Sequence, residues 1–114
     1  MIEVTPARFE ELVDEAIDLI PDEFLRRLGN VAILVADRNP DTPTLLGLYE
    51  GVPLPERVVD FPTPPDVIHI YREALAEICA SEAELVEQTR VTLLHEVGHF
   101  FGLDEEDLHR LGYG

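Results

Sequence analysis

The chain is poor in positive charge: 8 basic residues stand against 24 acidic ones, for a formal net charge of -16. A field of that sign repels phosphate backbones, which argues against a nucleic-acid partner. Its plainest effect is solubility. Cysteine occurs once. An internal disulfide is therefore excluded, and Cys79, set between Ile78 and Ala80, reads as a small buried hydrophobe. The first nine residues, MIEVTPARF, have neither a basic start nor an apolar run, so no signal peptide is expected. Nowhere is there an apolar stretch long enough to span a bilayer. These absences lead to the expectation of a soluble cytoplasmic protein with no membrane partner.

What is present fits one globular domain over residues 1–114. Hydrophobic residues make up 46% of the chain, and its length allows a real core. Thr5 can cap a helix that starts at Pro6, and Phe9, Leu12, Val13, Ala16, Ile17 and Ile20 recur at helical spacing. Pro21 interrupts that pattern, and a shorter helix from Asp22 is expected to stop near Gly29 and Asn30. The β-branched run Val31–Ala36 is too short for a typical helix and reads as a buried strand. Residues 37–43 carry turn chemistry. A second strand is expected over Leu45–Tyr49 and a third over Val67–Tyr71. The five prolines between Gly51 and Pro65 forbid a central strand there and suggest a rim, a lid or a rigid connector. Helix returns from Arg72 to Ala80, and Ser81 with Glu84 forms the capping box of a long helix.

That long helix carries the chemistry. In the stretch 91–105, VTLLHEVGHFFGLDE, Leu93, Leu94, Val97, Phe100 and Phe101 fall on one side at 100° per residue, and His95 and His99 on the other. Glu96 lies at the flank, and Gln88 and Thr92 share the histidine face. Two imidazoles one turn apart can hold a divalent ion, and nitrogen donors suit zinc. A neighbouring carboxylate that does not ligate can take a proton from metal-bound water. This is an H-E-x-x-H pattern, expected by chance in a chain this long at roughly a few in a thousand. Two surface histidines on a solvated face are the plainer explanation, and the helical context weighs against it.

Gly102 follows His99 by three residues, and Glu105 follows Gly102 by three, which is the extended spacing of metzincins. A third ligand cannot come from the next helical turn and still close a tetrahedron. The chain has to reverse, and Gly102 can take a positive φ to end the helix. Glu105 stands at the expected ligand position. Asp104 reads as the N-cap of a last short helix, Glu105–Leu111, with Asp107 at N3; it and His109 are the alternative third ligands. Met1 is the only methionine, so no methionine turn lies beneath the site. Nine residues after Glu105 are too few for a second lobe, which leaves the Leu46–Tyr49 strand and the proline-rich loop as the rim, where an extended peptide could join the sheet edge. Tyr49, Tyr71 and Tyr113 could stabilise an oxyanion, although half-buried packing is their commoner use. His69 faces away from Ile68 and Ile70 and is expected to be a partly exposed strand residue.

Four segments, LGLYEGVPL (46–54), IHIYR (68–72), HEVGHFFG (95–102) and LHRLG (108–112), resemble the small bacterial minimal metalloprotease family of zincin-like proteins. The resemblance runs from about Phe9 to the C-terminus. It implies a compact α+β zincin-like core: a small twisted sheet of about three to four strands, an active-site helix and a short C-terminal helix. It also implies a zinc ion on His95, His99 and the residue at 105, with Glu96 as general base. This chain departs from the family pattern at the last ligand, where Glu105 stands in place of the usual aspartate. The activity expected is zinc-dependent hydrolysis of a peptide or protein substrate. Two other readings are a zinc-binding protein that acts through an unknown protein partner, and a metal-dependent endoribonuclease. The acidic charge and the motif glutamate speak against the last.

Overall fold

A computed structural model describes residues 1–28, 31–51 and 66–110; Gly29, Asn30, most of the proline-rich loop, Leu111 and Tyr113 lie outside them. The first helix, α1, spans Pro6–Asp18. The Thr5 hydroxyl accepts the Arg8 N–H at 3.1 Å, and Pro6 occupies a position whose N–H would have had no helical partner. Phe9, Leu12, Val13 and Ala16 are buried, as their spacing requires. After Pro21 the chain re-enters helix as α2, Asp22–Leu28.

Three strands follow: β1 (Ala32–Ala36), β2 (Gly47–Glu50) and β3 (Val67–Tyr71). They form a sheet in the order β1-β3-β2, with β1 parallel and β2 antiparallel to β3. β3 is central, and its Ile68 and Ile70 are fully buried. The expectation of a buried strand over 31–36 is corrected here. β1 is an edge strand in which Ala32, Leu34 and Ala36 are exposed and only alternate residues turn inward. The short alanine side chains on its open face cost little when solvated. β2 starts at Gly47, two residues later than the sequence suggests.

β3 runs directly into α3, Arg72–Glu77, which ends before Ala80 because the Ile78 and Cys79 N–H groups turn back onto Leu75 and Ala76. Cys79 is fully buried. The longest helix, α4, spans Glu82–Phe100. The Ser81 hydroxyl accepts the Glu84 N–H, and Glu84 reaches back to the Ala80 N–H rather than to that of Ser81. A short α5, Glu105–Arg110, closes the described chain. α4 packs on α1 on one side and on β2 and β3 on the other. Its buried residues therefore extend beyond the expected apolar face to Thr89, Thr92, Glu96 and Gly98, and Phe101, just past its end, is half-buried. The result is a mixed α+β core with a small three-stranded sheet. Among the described residues no helix is long and apolar enough to cross a membrane.

Candidate metal centre

The remaining stripe of α4 carries His95 and His99, with side chains 21% and 28% exposed. Their Nε2 atoms lie 3.2 Å apart. At the end of α4 the Leu103 N–H reaches the Gly98 carbonyl and the Gly102 N–H reaches that of His99, both at 2.9 Å. This paired closure needs a left-handed residue, and Gly102 supplies it with φ 84°. The same turn sets the Leu103 carbonyl 3.1 Å from His99 Nδ1. With the proton on Nδ1 and donated there, the Nε2 lone pair of His99 faces the open side, the orientation that metal-ligating histidines use.

Beyond the turn, Asp104 accepts the Asp107 N–H at 2.8 Å and Asp107 accepts the Asp104 N–H at 3.3 Å. Asp104 is thus occupied as the cap of α5. Glu105 swings back, and its Oε1 stands 3.1 Å from His95 Nε2 and 2.9 Å from His99 Nε2. Three atoms that offer lone pairs converge on one point, in a triangle with edges of 2.9, 3.1 and 3.2 Å. With both Nε2 atoms unprotonated such a set repels itself, and a proton on a ring nitrogen or a metal cation among the three relieves it. Tetrahedral zinc with bonds of about 2.0–2.1 Å separates neighbouring donors by about 3.3–3.4 Å, so these residues fit that ion. His109 is exposed on α5, and no contact among the described residues brings it to this group.

Glu96 stands behind the triangle. It is buried, 7% exposed, and its Oε2 is 3.9 Å from His95 Nε2. His95, Glu96 and His99 alone also form a group, but their ligand atoms spread over as much as 4.8 Å, against 3.2 Å or less with Glu105. The Glu96 Oε1 is already used: it accepts the Tyr49 N–H at 2.9 Å. Burial pushes the Glu96 carboxyl above the usual carboxylate range, against the pull of His95, His99 and the Tyr49 N–H. For Glu105 partial desolvation acts upward too, but His95 and His99 outweigh it and hold that carboxyl low. The proton affinities of two carboxylates at one site are thereby driven apart.

Register explains the Tyr49 contact. The Tyr71 N–H bonds the Leu46 carbonyl, so in the antiparallel ladder Leu48 bonds inward to β3 while Gly47 and Tyr49 direct their backbone groups outward, toward α4. Helix and strand approach closely because position 47 has no side chain: a Cβ there would lie 2.7 Å from Thr92 Cγ2 and 3.5 Å from Glu96 Cγ. The Tyr49 ring meets Phe100 edge-on, and its hydroxyl donates to Asp66 at 3.0 Å. Tyr71 is buried, its hydroxyl accepting from Asn39. Both tyrosines are packing residues in this state, and His69 is half-buried on the open face of the sheet. A cleft of about 420 Å³ runs between residues 42–47 and the Gln88–Glu96 side of α4. A larger cavity of about 680 Å³ under the N-terminal segment holds none of these groups. Its Arg38 is paired with Glu73 and Glu77, and its Arg72 with Asp37.

The sequence brought forward His95, Glu96, His99 and Glu105, and the structure brings these four together. It did not bring forward the Tyr49 N–H, Gly47 or Gly98. The two glycines carried a usable signal, since an isolated glycine in a strand or a helix often marks close packing. The family described as zincin-like metallopeptidase matches residues 28–114. No curated protein matches the chain. Among solved structures, a conserved hypothetical protein from Thermus thermophilus is similar in fold. It has a TM-score of 0.57 and 24% identity over 86% of this chain and 94% of the other.

Proposed function

Because the chain belongs to the zincin-like metallopeptidases, we propose that it is a zinc-dependent peptidase with His95, His99 and Glu105 as metal ligands and Glu96 as the general base. The observation that carries this reading is the triangle of donor atoms, with a buried carboxylate directly behind it that does not belong to it. A zinc ion held there would act as a Lewis acid toward the scissile carbonyl and the attacking water. The rest is done by the chain. Glu96 Oε1 is anchored by the Tyr49 N–H, which leaves Oε2 facing His95 to receive a proton from water and pass it to the leaving amine. The raised affinity of Glu96 for a proton suits both halves of that transfer. The substrate is an extended peptide in the cleft, laid along the outward edge of β2 at Gly47.

The test is zinc stoichiometry together with cleavage of a casein-like substrate and a mixed peptide library. Wild type is expected to take one zinc per chain and to cleave slowly. Glu96→Gln is expected to keep the zinc and lose cleavage, and His99→Ala to lose both. Equal cleavage by wild type and Glu96→Gln would remove Glu96 as the base. Zinc-loaded wild type that cleaves nothing would favour a binding role completed by a protein partner.

A further inference from the structure

The proposed reaction leaves the outer edge of β1 without a role. The Ala32 N–H donates to the Asp66 carbonyl, and in a parallel ladder inward-bonding residues alternate with outward ones. Ala32, Leu34 and Ala36 therefore bond β3, and the N–H and C=O groups of Ile33 and Val35 point away from the sheet. Among the described residues no strand pairs with this edge. The run from Ala32 to Ala36 has none of the lysine, proline or bulge that ordinarily blunts an edge, and Leu34 is 49% exposed. Beside the edge lies a groove of about 400 Å³ between β1 and α1. Val13, Ile17 and Val35 supply its apolar lining, and Glu10 and Asp14 its charge. Neither acid has an ion-pair partner among the described residues, whereas Arg8 on the same helix is taken by Glu11 and Glu82.

We propose that this edge binds an extended basic segment of another protein, adding it as a fourth strand in which arginines alternate with β-branched residues. Glu10 and Asp14 are one helical turn apart, about 6 Å along the axis. Alternate side chains of a strand are about 6.6–6.8 Å apart, so two arginines on one face of the incoming strand can meet both acids. Their stems would lie over Val13 and Ile17. The intervening β-branched side chains would fall on the opposite face, beside the exposed Leu34. A second copy of this chain has the wrong charge for the place: pairing two such edges would bring both Glu10–Asp14 pairs and two chains of net charge -16 together.

The experiment is calorimetric titration of the full chain with two blocked heptapeptides, one alternating arginine with valine and the other glutamate with valine. The arginine peptide is expected to bind at one saturable site, and the glutamate peptide at least about tenfold more weakly. The double variant Glu10→Arg, Asp14→Arg should invert that preference. Val35→Pro removes an outward N–H at an edge position where proline is tolerated, and should weaken binding about tenfold. Glu10 and Asp14 lie in the groove beside β1 and not in the cleft between residues 42–47 and α4, so an effect of their reversal separates this edge from the cleft; cleavage can fail entirely without touching this result. Unchanged arginine-peptide binding by the charge-reversed variant would overturn the proposal. So would peptide-free dimerisation, seen by sedimentation, that Val35→Pro abolishes.

Discussion

Gly98 of α4 lies under Leu108 of α5 so closely that a Cβ at Gly98 would stand 2.1 Å from Leu108 Cδ2. Leu108 is fully buried, and Glu105 is one helical turn before it on the same short helix. The glycine inside the H-E-x-x-H stretch therefore decides how near α5 can come, and with it where Glu105 meets the histidines. Gly98→Ala should force α5 outward. Overpacking of this kind costs roughly 1–3 kcal/mol, partly offset by the roughly 1 kcal/mol that alanine adds to helix propensity over glycine. The net is a destabilisation of roughly 0–2 kcal/mol, and zinc affinity should fall at least about tenfold. Thermal melts and competitive zinc titration together check this. Unchanged affinity would mean that Leu108 repacks without moving α5.

The close seat of β2 on α4 gives a second prediction. Gly47→Ala places a methyl 2.7 Å from Thr92 Cγ2 and 3.0 Å from the His69 carbonyl oxygen, so the strand has to withdraw from the helix. The Tyr49 N–H then moves away from Glu96. Zinc binding should survive, since none of its three proposed ligands lies on β2, while hydrolysis should drop about tenfold or more. Thr92→Ser removes the methyl that clashes. The double variant Gly47→Ala, Thr92→Ser should recover part of the loss and show coupling in a double-mutant cycle. Additive losses would deny that the Tyr49–Glu96 bond depends on this contact.

Which parts of this arrangement could be read in advance follows from the range of the forces involved. Thr5, Ser81, Gly102 and Asp104 act on backbone groups within five residues of themselves, so the starts of α1, α4 and α5 and the close of α4 were legible. The His95–His99 pair was legible for the same reason, being set by one helical turn. The exposure of β1 was not, because strand order depends on pairings between distant segments, and a β-branched run looks alike at the centre and at the edge. Nor could the Tyr49 N–H be anticipated as the partner of Glu96, 47 residues away, since every residue except proline carries such a group.

A third prediction concerns pH in metal-free protein. Burial raises the Glu96 carboxyl above its ordinary value of 4.5. Between that value and the raised one the folded state holds a proton that the unfolded chain has released. Stability therefore falls as pH climbs through this window. Glutamine cannot ionise, yet its carbonyl oxygen can still accept the Tyr49 N–H. With a chelator present, Glu96→Gln should melt above wild type at pH 7, and the gap should close as pH falls below 4.5. A wild-type advantage at pH 7 would show that His95 and His99 stabilise the ionised carboxylate by more than burial costs.

The last prediction separates the two adjacent acids. Asp104 spends its carboxylate on the Asp107 N–H, and Glu105 directs its own at both histidine Nε2 atoms. Asp104→Ala should cost about 1 kcal/mol through loss of the cap, with zinc affinity reduced only as far as α5 frays. Glu105→Gln keeps the size of the side chain but removes its charge. It should leave the metal-free melt nearly unchanged, because the side chain is 72% exposed, and should weaken zinc by more than the roughly 10–100-fold that loss of an outer partner costs. His109→Ala should change neither quantity. Restoring the cap with Asp104→Asn should return the stability lost in Asp104→Ala and whatever affinity was lost with it. Melts with and without zinc read both quantities on the same samples. Severe zinc loss in Asp104→Ala, with Glu105→Gln unaffected, would transfer the ligand role to Asp104.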